Sequence, residues 1–442
     1  MTALAAQGGA PLRIALLAYR GNPTCGGQGV YIRHLARELA ALGQRVTVLG
    51  GPPYPELGAG SERGTGRVEL VKLPSLDLYR QPDPFRWPRL RELAGPLEVL
   101  EVATMRAGGF PEPRTFSLRA RRWLASRRGA FDVVHDNQSL GSGLLGMIED
   151  GWPVLASIHH PIDVDREIDL AHAGSWRKRA SLRRWYGFAA MQSRVARRLP
   201  RLITVSQASR DDIVALLGVA ASRIGVVPAG VDTEVFTPRQ GIARIPGRIV
   251  TTASADVPIK GLAVLLEALA KLRTERPDAH LVITGQLRSG GTTAPLIEQL
   301  GLGGAVSFVS GRSDAELAAG YAEAACAVVP SLYEGFSLPA VEALACAAPL
   351  VATSGGALPE VVGADGTSAL VVPPGDPSAL ALALGRLLDE PELGARLGSA
   401  GRRRVLERFT WSATAAATLE EYRGLVAGRG RALPGAGRRG SC

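Results

Sequence analysis

Pro330-Ser331-Leu332-Tyr333-Glu334-Gly335-Phe336-Ser337-Leu338-Pro339-Ala340-Val341-Glu342-Ala343 sets two carboxylates around an apolar turn that runs into a helix. Pro339 suits a first helical turn, because its φ is fixed and its missing N–H would have no partner there. Glu334 therefore falls on the loop and Glu342 on the helix behind it. The backbone N–H groups of Phe336, Ser337 and Leu338 come at the helix N-terminus, where unpaired donors and a partial positive charge attract phosphate. An anion site between two acceptors of hydroxyl protons matches a nucleotide sugar, which carries a diphosphate between two polyols.

The rest of the chain frames this segment with short apolar runs alternating with helical patterns, the mark of an α/β fold with parallel sheets. In the first half the strand candidates begin at Arg13–Ala18 and end at Ile224–Val227, with helices such as Val30–Ala41 and Ser181–Arg198 between them. Proline and glycine then cluster from Pro228 to Arg248 and mark a linker. A second series runs from Ile249–Thr252 to Leu370–Val372, followed by helices to Ala427. The expected organisation is an N-terminal domain over residues 1–230, a linker over 231–248, a C-terminal domain over 249–409, a helix over 410–427 and a disordered Gly/Arg-rich tail over 428–442. Two doubly wound domains of this kind bind ligands outside the carboxyl ends of their strands, here in the cleft between them.

Composition limits the partners. At 442 residues two domains are expected, and 46% hydrophobic residues make the chain globular. The net charge of +10 favours anionic partners such as phosphorylated substrates or lipid headgroups, although free use of arginine in the genome would give the same balance. Only Lys72, Lys178, Lys260 and Lys271 are lysines. Cys25, Cys326, Cys346 and Cys442 show neither zinc-site nor disulfide spacing, which fits a reducing cytosol. No basic region precedes the first apolar run as in a secretory signal, and no apolar run is long enough to span a bilayer.

Three further loops fall where strands end. Gly26 and Gly27 lie in a Gly-rich loop after the first strand, which is either an anion-binding loop or an ordinary strand–helix turn. Lys260, in Pro258-Ile259-Lys260-Gly261, holds the equivalent place in the second half and can act as a point charge on a phosphate. His159 ends the apolar strand Pro153–Ile158, where it can bond a sugar hydroxyl or simply close a strand end. Trp176–Arg201 interleaves nine basic residues with Trp176, Trp185, Tyr186, Phe188 and Met191. It reads either as a helix lying on an anionic membrane surface or as a domain helix with a buried apolar stripe. No nucleic-acid-binding module surrounds it.

Glu334 to Glu342 resembles the Glu-x7-Glu motif of the retaining glycosyltransferase family 4, which has the GT-B fold. The Gly26-Gly27 loop, Val226–Asp232, Lys260-Gly261 and Gly355-Gly356 before Leu358-Pro359-Glu360 fall in the family's order, so the resemblance covers nearly the whole chain. It implies two Rossmann-like domains and a C-terminal helix crossing back to the first. It also implies a nucleotide-diphosphate sugar as donor, no cofactor and no metal. By the same resemblance Glu334 and His159 would contact the donor sugar, Glu342 the ribose, and the Gly335, Phe336, Ser337 and Leu338 backbone the sugar and phosphate oxygens. Lys260 would neutralise the leaving diphosphate, and Gly26 and Gly27 would close over it.

One departure stands out. The family's Gly-Arg pair upstream of Pro-x-Lys-Gly is absent; the stretch reads Thr252-Ala253-Ser254-Ala255-Asp256-Val257. Either Arg288 or Arg312 reaches the diphosphate, or the donor is bound differently. The expected function is retaining transfer of a sugar to a lipid-linked or envelope glycan, by a cytoplasmic protein seated peripherally on the membrane. The alternatives are a GT-B synthase with a soluble acceptor and a non-catalytic nucleotide-sugar-binding protein.

Overall fold

The computed structural model describes residues 10–21, 27–57, 66–80, 83–239, 241–253, 255–287 and 290–431. Gly26 and Arg288 lie outside them.

Seven strands form the first sheet: β1 (Arg13–Ala18), β2 (Arg45–Gly50), β3 (Arg67–Lys72), β4 (Val133–Asn137), β5 (Val154–Ile158), β6 (Arg201–Thr204) and β7 (Ile224–Val226). Six form the second: β8 (Ile245–Thr252), β9 (His280–Thr284), β10 (Val306–Val309), β11 (Ala324–Val329), β12 (Leu350–Thr353) and β13 (Leu370–Val372). All pairings are parallel, in the orders β3-β2-β1-β4-β5-β6-β7 and β10-β9-β8-β11-β12-β13. The central strands are buried because helices cover both faces; every residue of β4, β5 and β12 is buried, including the polar His135, Asp136 and Asn137 of β4. Strand order reverses between β1 and β4 and between β8 and β11, which are the two places where such sheets open a crevice at their carboxyl ends.

Two connections tie the domains together. Val231 bridges Thr410, and a Cβ on Gly230 would strike the Trp411 backbone, so the outgoing and returning chains run side by side. The returning helix Trp411–Arg431 packs on the helix Gly27–Ala41 of the first domain. Its Tyr422 is fully buried and bonds His135 Nδ1 at 2.5 Å, Trp411 stacks on His34 with centroids 5.0 Å apart, and Glu421 pairs with Arg201 at 2.6 Å.

Three boundaries differ from expectation. β8 begins at Ile245, inside the expected linker, because it gains pairing with both β9 and β11. The crossing helix continues to Arg431, so residues 428–431 of the expected tail are helical; 432–442 lie outside the described residues. The single helix expected over Ser181–Arg198 is instead Trp176–Trp185, a 3-10 turn at Tyr186–Phe188 and Ala189–Ala196. Tyr186 is buried there, and Trp185 and Phe188 both pack around Phe110.

Candidate active site

The two crevices face each other through the segment Ser331–Leu338, which leaves β11 and opens the helix Leu338–Ala345. Lys260 is delivered beside it from the end of β8. Gly261 has φ +65°, and a side chain there would collide with the Pro330 carbonyl, so the two loops pack backbone on backbone. Leu332 N–H bonds Ile259 C=O at 2.8 Å across the same junction. Lys260 Nζ then stands 2.8 Å from Glu334 Oε1, which also accepts from Ser331 Oγ at 2.7 Å. Glu334 is nearly buried and Lys260 about one-third exposed, so the ammonium keeps a face toward the cleft.

Ser337 caps the helix: its Oγ accepts from Ala340 N–H at 3.4 Å, and its φ of +84° holds the turn in a conformation rare for a residue with a side chain. Such strain is often stored at functional sites. Phe336 turns inward, edge-on to Phe409 at 5.6 Å, leaving its backbone to the cleft side. Glu342, one turn into the helix, lies beside Tyr321. Burial, reinforced by Asp314, pushes its carboxyl up to about 8.

The first domain meets this segment directly. Gly335 C=O accepts from Ser206 Oγ at 2.7 Å and Ser209 Oγ at 3.2 Å, and Ser209 Oγ also bonds His159 C=O at 2.9 Å. His159 thus follows β5 straight to Gly335, whose missing side chain makes the approach possible. The His159 ring bonds Asn137 Oδ1 through Nε2 at 2.9 Å and sits edge-on to Tyr31. Desolvation, with neighbouring His160 adding to it, pushes this imidazole down to about 3, so it is neutral near pH 7 and the positive charge of the site rests on Lys260. Gly27 begins its helix facing Leu338, with room between them for a Cβ at 3.6 Å.

Further contacts between the domains join residues of the quoted segments to partners that carry no sequence signal of their own. Glu360 accepts from Gln207 N–H (2.8 Å) and Ala208 N–H (2.7 Å) at the N-terminus of the helix Gln207–Leu217, and Tyr333 bonds Asp212. Ser206, Asp212 and Asn137 are ordinary residues of strand ends and helices until the domains are brought together.

The missing arginine has a partial structural answer. Asp256 is engaged away from Lys260: its Oδ1 accepts from the N–H and hydroxyl groups of Thr292 and Thr293, at 2.7 to 3.1 Å. Those four bonds hold its carboxyl below the usual range despite partial burial. Arg312 pairs with Glu316 at 3.0 Å rather than reaching Lys260. Among the described residues no group of three or more His, Cys, Asp or Glu side chains is placed to hold a metal ion.

Two facing parallel-sheet domains with a lysine, a carboxylate pair and a helix N-terminus at their junction define a GT-B glycosyltransferase. The Glycosyltransferase Family 4 model matches residues 25–235 and the Glycosyl transferases group 1 model residues 242–404, and the chain belongs to this family. It is 54% identical to the MMP alpha-(1->4)-mannosyltransferase of Mycolicibacterium hassiacum, over 94% of this chain and 99% of that protein. It is 31% identical to the D-inositol 3-phosphate glycosyltransferase of Kineococcus radiotolerans, over 93% of this chain and 94% of that one. Among solved structures, the sucrose-phosphate synthase of Thermosynechococcus elongatus shares the fold with a TM-score of 0.71, 24% identity and coverage of 94% and 100%. Anabaena Alr3699/HepE, in complex with UDP and glucose, does so with 0.66, 19%, and 93% and 99%.

Proposed function

We propose that this glycosyltransferase moves mannose from a nucleotide-diphosphate mannose to a glycan acceptor in α-(1→4) linkage, with retention of configuration and without a metal. The observation that carries the transfer chemistry is the Lys260–Glu334 pair, 2.8 Å apart beside the N-terminus of the helix Leu338–Ala345. The sugar and linkage follow the relative that is 54% identical along almost its whole length.

In the reaction the bond from the anomeric carbon to the donor phosphate breaks, and the acceptor oxygen bonds that carbon on the same face. The acceptor's proton passes to the leaving phosphate. Negative charge grows on that phosphate, and Lys260 with the backbone N–H groups at Ser337 and Leu338 is fixed in advance to meet it. This is work a metal does elsewhere. Glu334, anchored by Ser331, faces the sugar hydroxyls; Glu342 faces the ribose. His159, neutral, contributes a hydrogen bond near the reacting carbon. The Gly27 end of its helix covers the donor, and the closed cleft excludes the water that would hydrolyse it.

The test supplies GDP-, UDP- and ADP-linked mannose and glucose with a mannoside acceptor, with and without EDTA, and reads the product by NMR. An α-(1→4)-mannoside formed equally in EDTA is expected. A β-linked product overturns retention, glucose-only transfer overturns the sugar, and loss of activity in EDTA overturns metal independence. Donor binding without transfer to any acceptor would favour the non-catalytic reading.

Membrane seating is a second reading, supported by one surface. The helix Trp176–Trp185 buries none of its residues, Trp176 is 75% exposed, and Arg177, Lys178, Arg179, Arg183 and Arg184 form no ion pair among the described residues. Among the described residues no helix is long and apolar enough to cross a membrane. Flotation with phosphatidylglycerol vesicles but not phosphatidylcholine vesicles is expected; no flotation with either rejects the idea.

A further inference from the structure

β4 and β5 share a buried face on which polar side chains run up to the cleft. Side chains alternate along a strand, so His135 and Asn137 of β4 lie on one face. Opposite them come Ser157 of β5 and, two residues on, His159. His135 Nε2 lies 2.6 Å from Ser157 Oγ, and Asn137 Oδ1 lies 2.9 Å from His159 Nε2. The two rungs differ chemically. His135 meets only hydroxyls, from Ser157 on one nitrogen and Tyr422 on the other, and a hydroxyl can donate or accept. An amide oxygen only accepts, so the His159 nitrogen that faces Asn137 must carry the proton.

The surroundings hold His159 in that pose. Gln138, at φ +56°, accepts from His159 N–H at 2.8 Å through Oε1 and donates to His160 C=O at 3.0 Å through Nε2, which pins the backbone. Tyr31 lies edge-on to the ring with centroids 4.7 Å apart. Nδ1 forms no hydrogen bond among the described residues, and the ring is only partly buried, so this nitrogen is the one left for a ligand. Asn137 itself is 1% exposed, and its Nδ2 is buried without a partner among the described residues. An unmet amide in the core costs stability, and a leucine of similar size would not incur that cost. The asparagine beside His159 therefore has the form of a group serving the site rather than the fold.

We propose that Asn137 is a positioning residue: it holds His159 as the Nε2–H tautomer, so that Nδ1 presents a lone pair to the cleft and accepts a hydrogen bond from a hydroxyl of the transferred sugar. The inference rests on the glycosyltransferase reading above and adds the direction of the His159 hydrogen bond. In the opposite tautomer Nδ1 would carry the proton, and the same hydroxyl would have to turn and accept.

Ring-nitrogen NMR of histidine-labelled, unligated protein at pH 8 reads the tautomer without turnover, with H159Q assigning the signal. Wild type is expected to show His159 as Nε2–H alone; Nδ1–H in wild type overturns the inference. Steady-state kinetics with nucleotide-linked mannose and a mannoside acceptor gives kcat and donor KM. N137L, close in size but unable to accept, should mix the two tautomers. It should lower kcat about tenfold, the scale of one hydrogen bond, with donor KM within about twofold of wild type. N137D keeps Oδ1 as an acceptor and should restore kcat to within about threefold of wild type at pH 8. Its carboxylate also favours the imidazolium and raises His159 from its lowered value, so kcat of N137D should fall between pH 8 and pH 6, where Nδ1 gains a proton. His135, His160 with Asp165, Tyr31 and the Lys260–Glu334 pair surround the ring in both proteins, so the difference between the two profiles isolates His159. The same tautomer and kcat in wild type and N137L overturn the inference, whatever happens to thermal stability. An imidazolium seen by NMR in N137D at pH 6 with kcat unchanged overturns it too. Failure of the glycosyltransferase reading would appear separately, as no transfer by wild type, while the tautomer is read as before.

Discussion

Gly335 is where the two domains touch at the reacting end of the cleft, and Gly335→Ala tests whether that contact sets the catalytic geometry. A Cβ built there falls 2.5 Å from His159 C=O, 3.1 Å from His160 Cβ and 3.2 Å from Ser209 Oγ. Ordinary carbon contacts begin near about 3.5 Å, so the loop or the His159 strand end must retreat by about 1 Å. The φ of Gly335 is not in the left-handed region, so the effect is purely steric. Retreat would stretch the bonds from Ser206 and Ser209 to Gly335 C=O and shift Glu334 against Lys260. Overpacking of this size costs about 1–3 kcal/mol. A misplacement of about 1 Å can cost ~10²-fold in rate. The assay is initial-rate kinetics with thermal melting, with Gly304→Ala, which meets open space, as control. A fall in kcat/KM of ~10²-fold with a modest loss of stability is expected. Gly335→Ala within about threefold of wild type would refute the argument that His159 and Glu334 are held in register through this glycine.

Other outcomes follow from the same geometry. Lys260→Met removes the cation beside Glu334 and should lower kcat by ~10²–10³, the scale of losing one preorganised charge or donor, while Ser331 still holds the carboxylate; retained kcat would discount the lysine. Tyr422→Phe leaves His135 Nδ1 buried without its partner and should destabilise by about 1–3 kcal/mol in urea unfolding. Burial pushes His34 and His135 down to about 3 from the usual 6.5. The contribution of these neutral rings is complete above pH 6.5 and is lost as pH falls through 3, at up to about 1.4 kcal/mol per pH unit each, so acid melting should begin below pH 6.5. Glu342, raised to about 8, works in the opposite sense: its contribution fades between pH 4.5 and 8, so Glu342→Gln should flatten the alkaline side of a stability–pH curve.

Strand runs such as Val154–Ile158 and Leu350–Thr353 were legible in the chain because burial on both faces leaves an apolar run with a defined length. The Glu334–Glu342 segment was legible for the same local reason: loop, Pro339 and helix lie within one stretch, and the family motif is contiguous. The breaks were less so. Nothing between Trp176 and Ala196 marks where the helix must turn to lay Trp185 and Phe188 against Phe110. What only the tertiary structure decided is which distant groups meet. Lys260 and Glu334 are 74 residues apart, Ser206 and Gly335 129, and His135 and Tyr422 287. Local sequence pattern fixes the direction of a side chain on its own element; it carries no record of the element packed opposite. Glu112 shows the difference most plainly, being an ordinary first-turn acid by sequence and an unmet buried carboxyl only once Arg20, Asp77 and Glu101 close around it.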